Sequence, residues 1–173
     1  RIMKAFTQLR IMGILFGLCA ALLIAGTTQA AIELSGKAPD FTLKNLKGSN
    51  LKLSEHRGEV VMINFWASWC APCRQEMPHL NDLYMRYKDL GFTLLAINVE
   101  EDSAQAQQMA RELKMAFPVL FDTENKVSKM YDVSAMPSTV IVDRSGNMRF
   151  LHRGYQPGYE DEYQQQIREL IRE

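Results

Sequence analysis

The sequence predicts an α/β fold in which helices flank a central mixed β-sheet. Two segments, 60–66 and 92–99, are almost entirely apolar and rich in β-forming residues, the composition of strands buried on both faces. An amphipathic helical pattern follows each of them, and this alternation is typical of a parallel sheet covered by helices. Two later strand-like segments flank the tight-turn sequence Asp143-Arg144-Ser145-Gly146, which predicts an antiparallel addition to the sheet.

Apolar periodicity and turn residues place the elements in order along the chain. The prediction is an extended lead-in at 31–40, an N-terminal β-hairpin at 41–53, a helical turn at 54–58, the strand at 60–66, a helix to about residue 90, the strand at 92–99, a helical insert at 102–114, a strand at 117–121, a short helix at 122–131, strands at 138–142 and 148–152, and a helix at 159–172. Spacings of three and four predict the core-facing helix positions. These are Met77, Leu80, Leu83, Tyr84, Tyr87, Ala106, Met109, Ala110, Leu113, Val127, Met130, Tyr163, Ile167, Leu170 and Ile171.

The first thirty residues have the pattern of an export signal. Three basic side chains precede an apolar run of 16 residues at 11–26, and the small residues Thr28 and Ala30 follow it. We expect a signal peptide at 1–30, cleaved after Ala30, and a single domain at 31–173 in a periplasmic or other extracytoplasmic location. An uncleaved membrane anchor is the alternative, although a bilayer-spanning helix usually needs about 20 apolar residues.

Composition and charge limit the classes of partner. The chain has 173 residues, of which 47% are hydrophobic and 23% charged, as in an ordinary globular protein. Its formal charge is zero, but without the three basic residues of the leader it has 17 basic and 20 acidic side chains. A domain with a balance of about −3 and no basic stripe has no general attraction for nucleic acid.

The most informative segment is the pair Cys70 and Cys73, which remains alone once Cys19 is removed with the leader. The pair lies between a buried strand and an amphipathic helix, so Cys70 is expected at the helix N-terminus and Cys73 one turn later, with Cα atoms ~5–6 Å apart. Unpaired N–H groups and the helix dipole favour a thiolate at that position, where cysteine pKa values fall to roughly 3.5–7.5. Pro72 is tolerated in the first helical turn. The sequence therefore predicts a redox-active disulfide.

Three other uses of a cysteine pair fit less well. Structural zinc needs four ligands, and the candidate histidines His56, His79 and His152 are scattered along the chain. Covalent haem attachment needs a histidine directly after Cys73, where Arg74 is found. A purely structural disulfide would close a loop too short to stabilise the fold much.

These residues resemble the thioredoxin superfamily from about Pro39 to the C-terminus. The resemblance rests on Trp69-Cys70-Ala71-Pro72-Cys73 after a buried strand, on Pro78, and on Met136-Pro137-Ser138-Thr139 before another strand. More closely, the chain resembles the extracytoplasmic TlpA-like and ResA-like branch, which includes DsbE-type reductases of cytochrome c maturation. The export signal, the helical insert and Glu76 are the features that indicate this branch. The resemblance implies a thioredoxin-like fold and thiol–disulfide exchange with protein substrates.

The same resemblance implies roles for further residues. Cytoplasmic thioredoxins have a buried aspartate six residues before the first cysteine, where this chain has Asn64, and the ResA-like branch implies that Glu76 takes over the proton of Cys73. The alternative is that Glu76 only stabilises the helix dipole. Met136-Pro137 resembles the cis-proline site that pairs with substrate. Trp69 and Pro72 are expected beside it on the substrate-binding surface.

The expected activity is reduction of protein disulfides without a cofactor or metal beyond the Cys70–Cys73 pair. Strong oxidants of this fold often have a histidine between the cysteines, whereas Ala71-Pro72 has no charge. A reductase in an oxidising compartment implies a membrane electron donor. A disulfide oxidase, a peroxiredoxin-like peroxidase and a copper chaperone are the alternatives. The proline and hydroxyl of the peroxidase motif are missing, and the spacing is one residue short of the Cys-x-x-x-Cys of copper chaperones.

Overall fold

A computed structural model of the protein describes residues 31–173. These residues form eight strands, four α-helices and two short 3-10 turns. The strands are β1 (Ile32–Glu33), β2 (Thr42–Asn45), β3 (Asn50–Lys52), β4 (Val60–Trp66), β5 (Phe92–Asn98), β6 (Val119–Phe121), β7 (Ser138–Val142) and β8 (Met148–Arg153). The helices are α1 (Ala71–Tyr87), α2 (Ala104–Glu112), α3 (Lys126–Met130) and α4 (Tyr159–Arg172), and the 3-10 turns are Leu53–His56 and Lys88–Leu90.

All eight strands belong to one mixed sheet, in the order β1-β8-β7-β4-β5-β6-β2-β3. The pairs β4–β5 and β5–β6 are parallel, whereas β7, β8 and the β2–β3 hairpin join by antiparallel pairing. The predicted α/β class, N-terminal hairpin and helical insert are therefore confirmed. β4 is central and lies between β5 and β7, so its carboxyl end, where the cysteine segment begins, is held from both sides.

The sheet separates two hydrophobic cores, and β4 contributes alternate side chains to each. Met62 and Trp66 lie in the core that includes Met77 of α1 and Tyr163 of α4. Val61, Ile63 and Phe65 lie in the other core. Asn64 lies two residues from both Met62 and Trp66 in β4, so its side chain is on the same face of the sheet, and it is fully buried. The alternation therefore directs a polar amide into the core beneath α1 and α4.

Two predicted core positions on the shorter helices are wrong. Met130 is 48% exposed and Leu113 is 39% exposed. α3 buries Val127, Ser128 and the following Tyr131, and this direction turns Met130 outward. Leu113 follows the last residue of α2, so the helical spacing no longer directs it to the core.

Several element boundaries also differ from the prediction, and the start of α3 and the structure of the lead-in differ most. α3 begins at Lys126 rather than at residue 122, because the Asp122 carboxylate accepts hydrogen bonds from the N–H groups of Lys126, Val127 and Ser128. Asp122 thus caps the helix from outside it. The lead-in is not only extended: β1 pairs with β8, and Lys37 bridges to Asn147. The lead-in therefore covers the β8 edge of the sheet.

The predicted signal peptide or anchor at 1–30 lies outside the described residues. Within 31–173, none of the helices combines the length and the apolar character that a membrane span requires.

Candidate active site

The cysteine pair lies at the N-terminus of α1. Cys70 is the residue that precedes the helix, and its Sγ accepts a hydrogen bond from the backbone N–H of Cys73 at 3.2 Å. Sγ thereby has the position that a serine or aspartate oxygen takes at an N-cap. The two cysteines form a disulfide with their Cα atoms 5.3 Å apart. Pro72 lies in the first turn, where its missing N–H removes no helical hydrogen bond.

The two sulfur-bearing residues differ in access to solvent. Cys70 keeps 4% of its surface exposed, whereas Cys73 has none. Trp69, directly before Cys70, is 69% exposed, while Trp66 at the end of β4 is fully buried. Cys70 therefore lies at the N-terminus of α1 next to an exposed indole, and Cys73 is buried one turn further along the helix.

Glu76 is completely buried, three residues after Cys73 on the same helix. Its Oε1 accepts a hydrogen bond from the Tyr163 hydroxyl at 2.8 Å, and its Oε2 accepts one from Asn64 Nδ2 at 2.9 Å. Burial raises the pKa of Glu76 to about 7, although the two donated hydrogen bonds oppose that rise. A nearby carboxylate, Glu160, raises this pKa a little further. A glutamate that only balances the helix dipole needs none of this burial.

Asn64 connects Glu76 to the neighbouring strand. Its Nδ2 donates both to Glu76 and to the Thr139 hydroxyl at 2.9 Å, and Thr139 is the residue that pairs with Asn64 across β4 and β7. The asparagine that replaces the thioredoxin aspartate is therefore the amide that orients the glutamate. Asn64, Glu76, Thr139 and Tyr163 form a buried polar cluster, which we call the Glu76 cluster.

Sequence reasoning identified Asn64 and Glu76 but missed Tyr163 and Thr139. Tyr163 was predicted only as a core-facing residue of the last helix. A buried tyrosine hydroxyl needs a hydrogen-bond partner, and this requirement was the available signal. The identity of that partner depends on how α4 packs on α1, which periodicity does not reveal.

Met136 and Pro137 lie at the carboxyl end of β4. The Met136–Pro137 peptide bond is cis and immediately precedes β7, whose first residue, Ser138, pairs with Phe65. The register therefore brings Pro137 level with Trp66, the residue from which the cysteine segment departs. Met136 is partly buried and packs against both cores.

The exposed face of α1 has few specific contacts. Arg74, Gln75 and His79 face solvent, and the His79 ring stacks on Tyr155 with 6.3 Å between ring centroids. The Tyr155 hydroxyl donates to Glu160, and both burial and this carboxylate raise the pKa of Tyr155 to about 12. Within residues 31–173, no three cysteine, histidine, aspartate or glutamate side chains converge as metal ligands.

Comparison with known proteins shows the family to which the sequence belongs. Residues 34–151 match the AhpC/TSA family. The thiol-disulfide oxidoreductase ResA of Geobacillus kaustophilus is 38% identical over 128 residues, which cover 74% of this chain and 74% of that protein. The ResA of Geobacillus thermodenitrificans is 35% identical with the same coverage of both chains.

A solved structure agrees with these relatives. A protein of Chlorobium tepidum, described as a thiol:disulfide interchange protein DsbE, superposes with a TM-score of 0.77 at 34% identity. The superposition covers 82% of this chain and 99% of that one. Since the family match includes the segment that holds Cys70 and Cys73, this chain belongs to the AhpC/TSA family and is a thiol–disulfide oxidoreductase related to ResA, with a thioredoxin-like fold.

Proposed function

We propose that this enzyme reduces disulfide bonds of protein substrates outside the cytoplasm, with Cys70 as the attacking thiol and Cys73 as the resolving thiol. The observation that carries the proposal is the position of Cys70 Sγ at the mouth of α1, where it accepts the Cys73 N–H. A thiolate there gains the same hydrogen bond and the favourable end of the helix dipole. Cys73, fully buried one turn later, is placed to meet only an intermediate already attached to Cys70.

The proposed reaction has two exchange steps. The Cys70 thiolate attacks one sulfur of a substrate disulfide, the substrate S–S bond breaks, and a mixed disulfide forms while the first substrate thiolate leaves. Cys73 then loses its proton and attacks Cys70 Sγ, which releases the second substrate thiolate and forms the Cys70–Cys73 disulfide. The substrate gains two electrons, and the enzyme loses two.

Glu76 is proposed to accept the proton of Cys73 in the second step. Its carboxyl is buried on the same helix face, and its pKa of about 7 lies close to neutral pH. A base with this pKa is substantially ionised at pH 7 and still basic enough to take a thiol proton. Asn64 and Tyr163 orient the carboxylate by donating to its two oxygens.

Trp69, Pro72, Met136 and Pro137 are proposed to contact the substrate chain. Trp69 and Pro72 are exposed beside Cys70, and Pro137 lies level with Trp66 at the end of β4. A broad exposed indole beside a nearly covered sulfur can hold an extended segment of a partner protein against the site.

The reducing direction is supported by the residues between the cysteines. Ala71 and Pro72 have no charge that would stabilise the Cys70 thiolate beyond the effect of the helix, so the reduced form is not specially favoured. A reductase in an oxidising compartment must be re-reduced, and we propose a membrane electron donor for this step. The Cys70–Cys73 pair itself is proposed to be the only redox group.

The leader at 1–30 supports an extracytoplasmic location, with either a cleaved signal or a retained anchor. The resemblance to the DsbE-type branch makes proteins of cytochrome c or copper-site assembly the first substrates to test.

The test is insulin disulfide reduction by the wild-type protein and two single variants. Cys70→Ser is expected to abolish turnover, and Cys73→Ser to stop after one step with a mixed disulfide at Cys70. Wild-type turnover by either variant would contradict the assignment. A Cys70–Cys73 reduction potential near −250 mV or lower would support the reducing direction, and a value near the roughly −120 mV of a strong oxidant would reverse it.

A further inference from the structure

The segment that links β4 to Cys70 is a tight turn. The Cys70 N–H donates to the carbonyl of Ala67 at 3.2 Å, which closes residues 67–70 into a single turn. Ser68 and Trp69 are its two central residues, and Ser68 is 8% exposed while Trp69 is 69% exposed. Ser68 therefore lies in the same turn as Trp69, two residues before Cys70.

The carboxylate of Glu100 binds this turn through two hydrogen bonds. Glu100 lies two residues beyond the end of β5, and its Oε2 accepts the backbone N–H of Ser68 at 2.7 Å. Its Oε1 accepts the Ser68 hydroxyl, also at 2.7 Å. Both oxygens of one carboxylate thus bind one residue, and hydrogen bonds to an ionised acceptor are shorter and stronger than neutral ones.

Glu100 is itself held in place by Asn98, the last residue of β5. Asn98 Nδ2 donates to Glu100 Oε2 at 2.7 Å, and the Glu100 N–H donates back to Asn98 Oδ1 at 3.1 Å. Asn98 is fully buried, and its Nδ2 also lies 3.4 Å from the carbonyl of Trp66 at the end of β4. The Glu100 carboxylate is therefore fixed relative to the two central strands.

We propose that Glu100 is a positioning residue of the redox site, which holds the Ser68–Trp69 turn and, through its negative charge, disfavours the Cys70 thiolate and so stabilises the disulfide. The inference rests on the proposed role of Cys70 as the attacking thiol. Because Glu100 contacts Ser68 and each residue step spans at most about 3.8 Å, its charge lies on the order of 10 Å from the Cys70 sulfur. This distance is comparable to the Debye length of about 8 Å at physiological ionic strength, so part of the repulsion persists.

The charge effect follows from the redox equilibrium with glutathione. The enzyme dithiol and glutathione disulfide exchange two electrons to give the enzyme disulfide and two glutathione thiols, and a stabilised thiolate favours the dithiol side. A fixed negative charge near Cys70 opposes the thiolate and so favours the disulfide. This effect acts in the direction that a reductase requires.

The test compares Glu100→Gln with Glu101→Gln in the full chain. Glu101 is the next residue, is exposed, and has no hydrogen bond to the turn among the described contacts of residues 31–173. Glu101→Gln therefore removes one negative charge but leaves both hydrogen bonds to Ser68 in place. We expect Glu100→Gln to shift the glutathione equilibrium toward the dithiol by about three- to tenfold, where tenfold is about 30 mV for a two-electron couple. The pH midpoint of Cys70 alkylation by iodoacetamide should fall, and Glu101→Gln should change the equilibrium less than twofold.

Two results would overturn the inference: wild-type values for Glu100→Gln, or an equal shift in Glu101→Gln. If Glu100→Gln does not fold, Glu100→Asp keeps the charge but is one methylene shorter, and it must change the Cys70 alkylation rate at least twofold; an unchanged rate contradicts the positioning role. Labelling of Cys73 in place of Cys70 in the wild-type protein would instead refute the proposed function. That outcome is separate from the comparison of the variants.

Discussion

Tyr163→Phe removes the hydroxyl that donates to Glu76 within the Glu76 cluster. The Tyr163 hydroxyl donates to Glu76 Oε1 at 2.8 Å, and its ring packs edge-on against His152 at 4.7 Å between centroids. Phenylalanine keeps the ring and its packing and removes the hydroxyl, which donates to Glu76 and also has a hydrogen bond with the Thr139 side chain. Because that donor favours the ionised carboxylate, its loss must raise the pKa of Glu76.

The size of the shift follows from the strength of such bonds. A hydrogen bond to a charged group contributes about 1.5–3 kcal/mol, and one pKa unit corresponds to about 1.4 kcal/mol. The pKa of Glu76, about 7 in the native protein, should therefore rise by roughly one to two units. At pH 7 the ionised fraction should fall from about half to a tenth or less. The resolving step should slow by roughly five- to fiftyfold at pH 7 and recover above pH 9.

The assay is single-turnover reduction of a disulfide peptide between pH 5.5 and 9.5, with the mixed disulfide quantified after acid quench. Tyr155→Phe is the matched control, because Tyr155 donates to the surface carboxylate Glu160 rather than to Glu76. We expect the profile of Tyr163→Phe to move to higher pH and that of Tyr155→Phe to match the wild type. A Tyr163→Phe profile that superimposes on the wild type, or moves to lower pH, would refute the role of Glu76 as the base.

Two further predictions concern stability and substrate binding. The pKa of Glu76 is about 7 in the folded protein against an ordinary 4.5, so the folded state favours the protonated carboxyl. Below pH 4.5 the carboxyl is protonated in both the folded and the unfolded state, and its burial causes no loss of stability by ionisation. As the pH rises from 4.5 through 7, the free energy of unfolding falls by about 3 kcal/mol. Urea unfolding of the oxidised protein at pH 5 and pH 8 should show that Glu76→Gln removes this loss relative to the wild type, and an identical pH dependence of both proteins would contradict it. Trp69→Ala should change the free energy of unfolding by no more than about 0.5 kcal/mol, because the side chain is largely exposed, yet lower kcat/KM for insulin several-fold. Unchanged kcat/KM would remove Trp69 from the substrate surface.

Local patterns predicted most of the secondary structure. The run at 60–66 is apolar and β-rich because both faces of β4 are buried, and α4 begins and ends at the predicted residues 159 and 172. The predicted burial of Met130 was wrong because helical spacing defines a face but does not determine the direction in which a very short helix points it. The predicted burial of Leu113 was wrong because spacing does not determine where a helix ends.

The chemistry of the cysteine pair was also accessible from sequence, because Cys70, Pro72 and Cys73 are close along the chain. The partners of the site were not. Tyr163 is 87 residues from Glu76, and Thr139 is 75 residues from Asn64. Such contacts depend on strand register and helix packing, which no local pattern encodes.

The proposed chemistry depends on a reactive Cys70 at the N-terminus of α1 and a shielded Cys73 one turn later. The most direct measurement is brief iodoacetamide treatment of the dithiothreitol-reduced protein at pH 7, followed by mass spectrometry of the cysteine peptides. We predict that Cys70 is alkylated at least tenfold faster than Cys73 and faster than an ordinary thiol of pKa about 8.5. Equal labelling of both residues, faster labelling of Cys73, or a Cys70 that does not react would contradict the account.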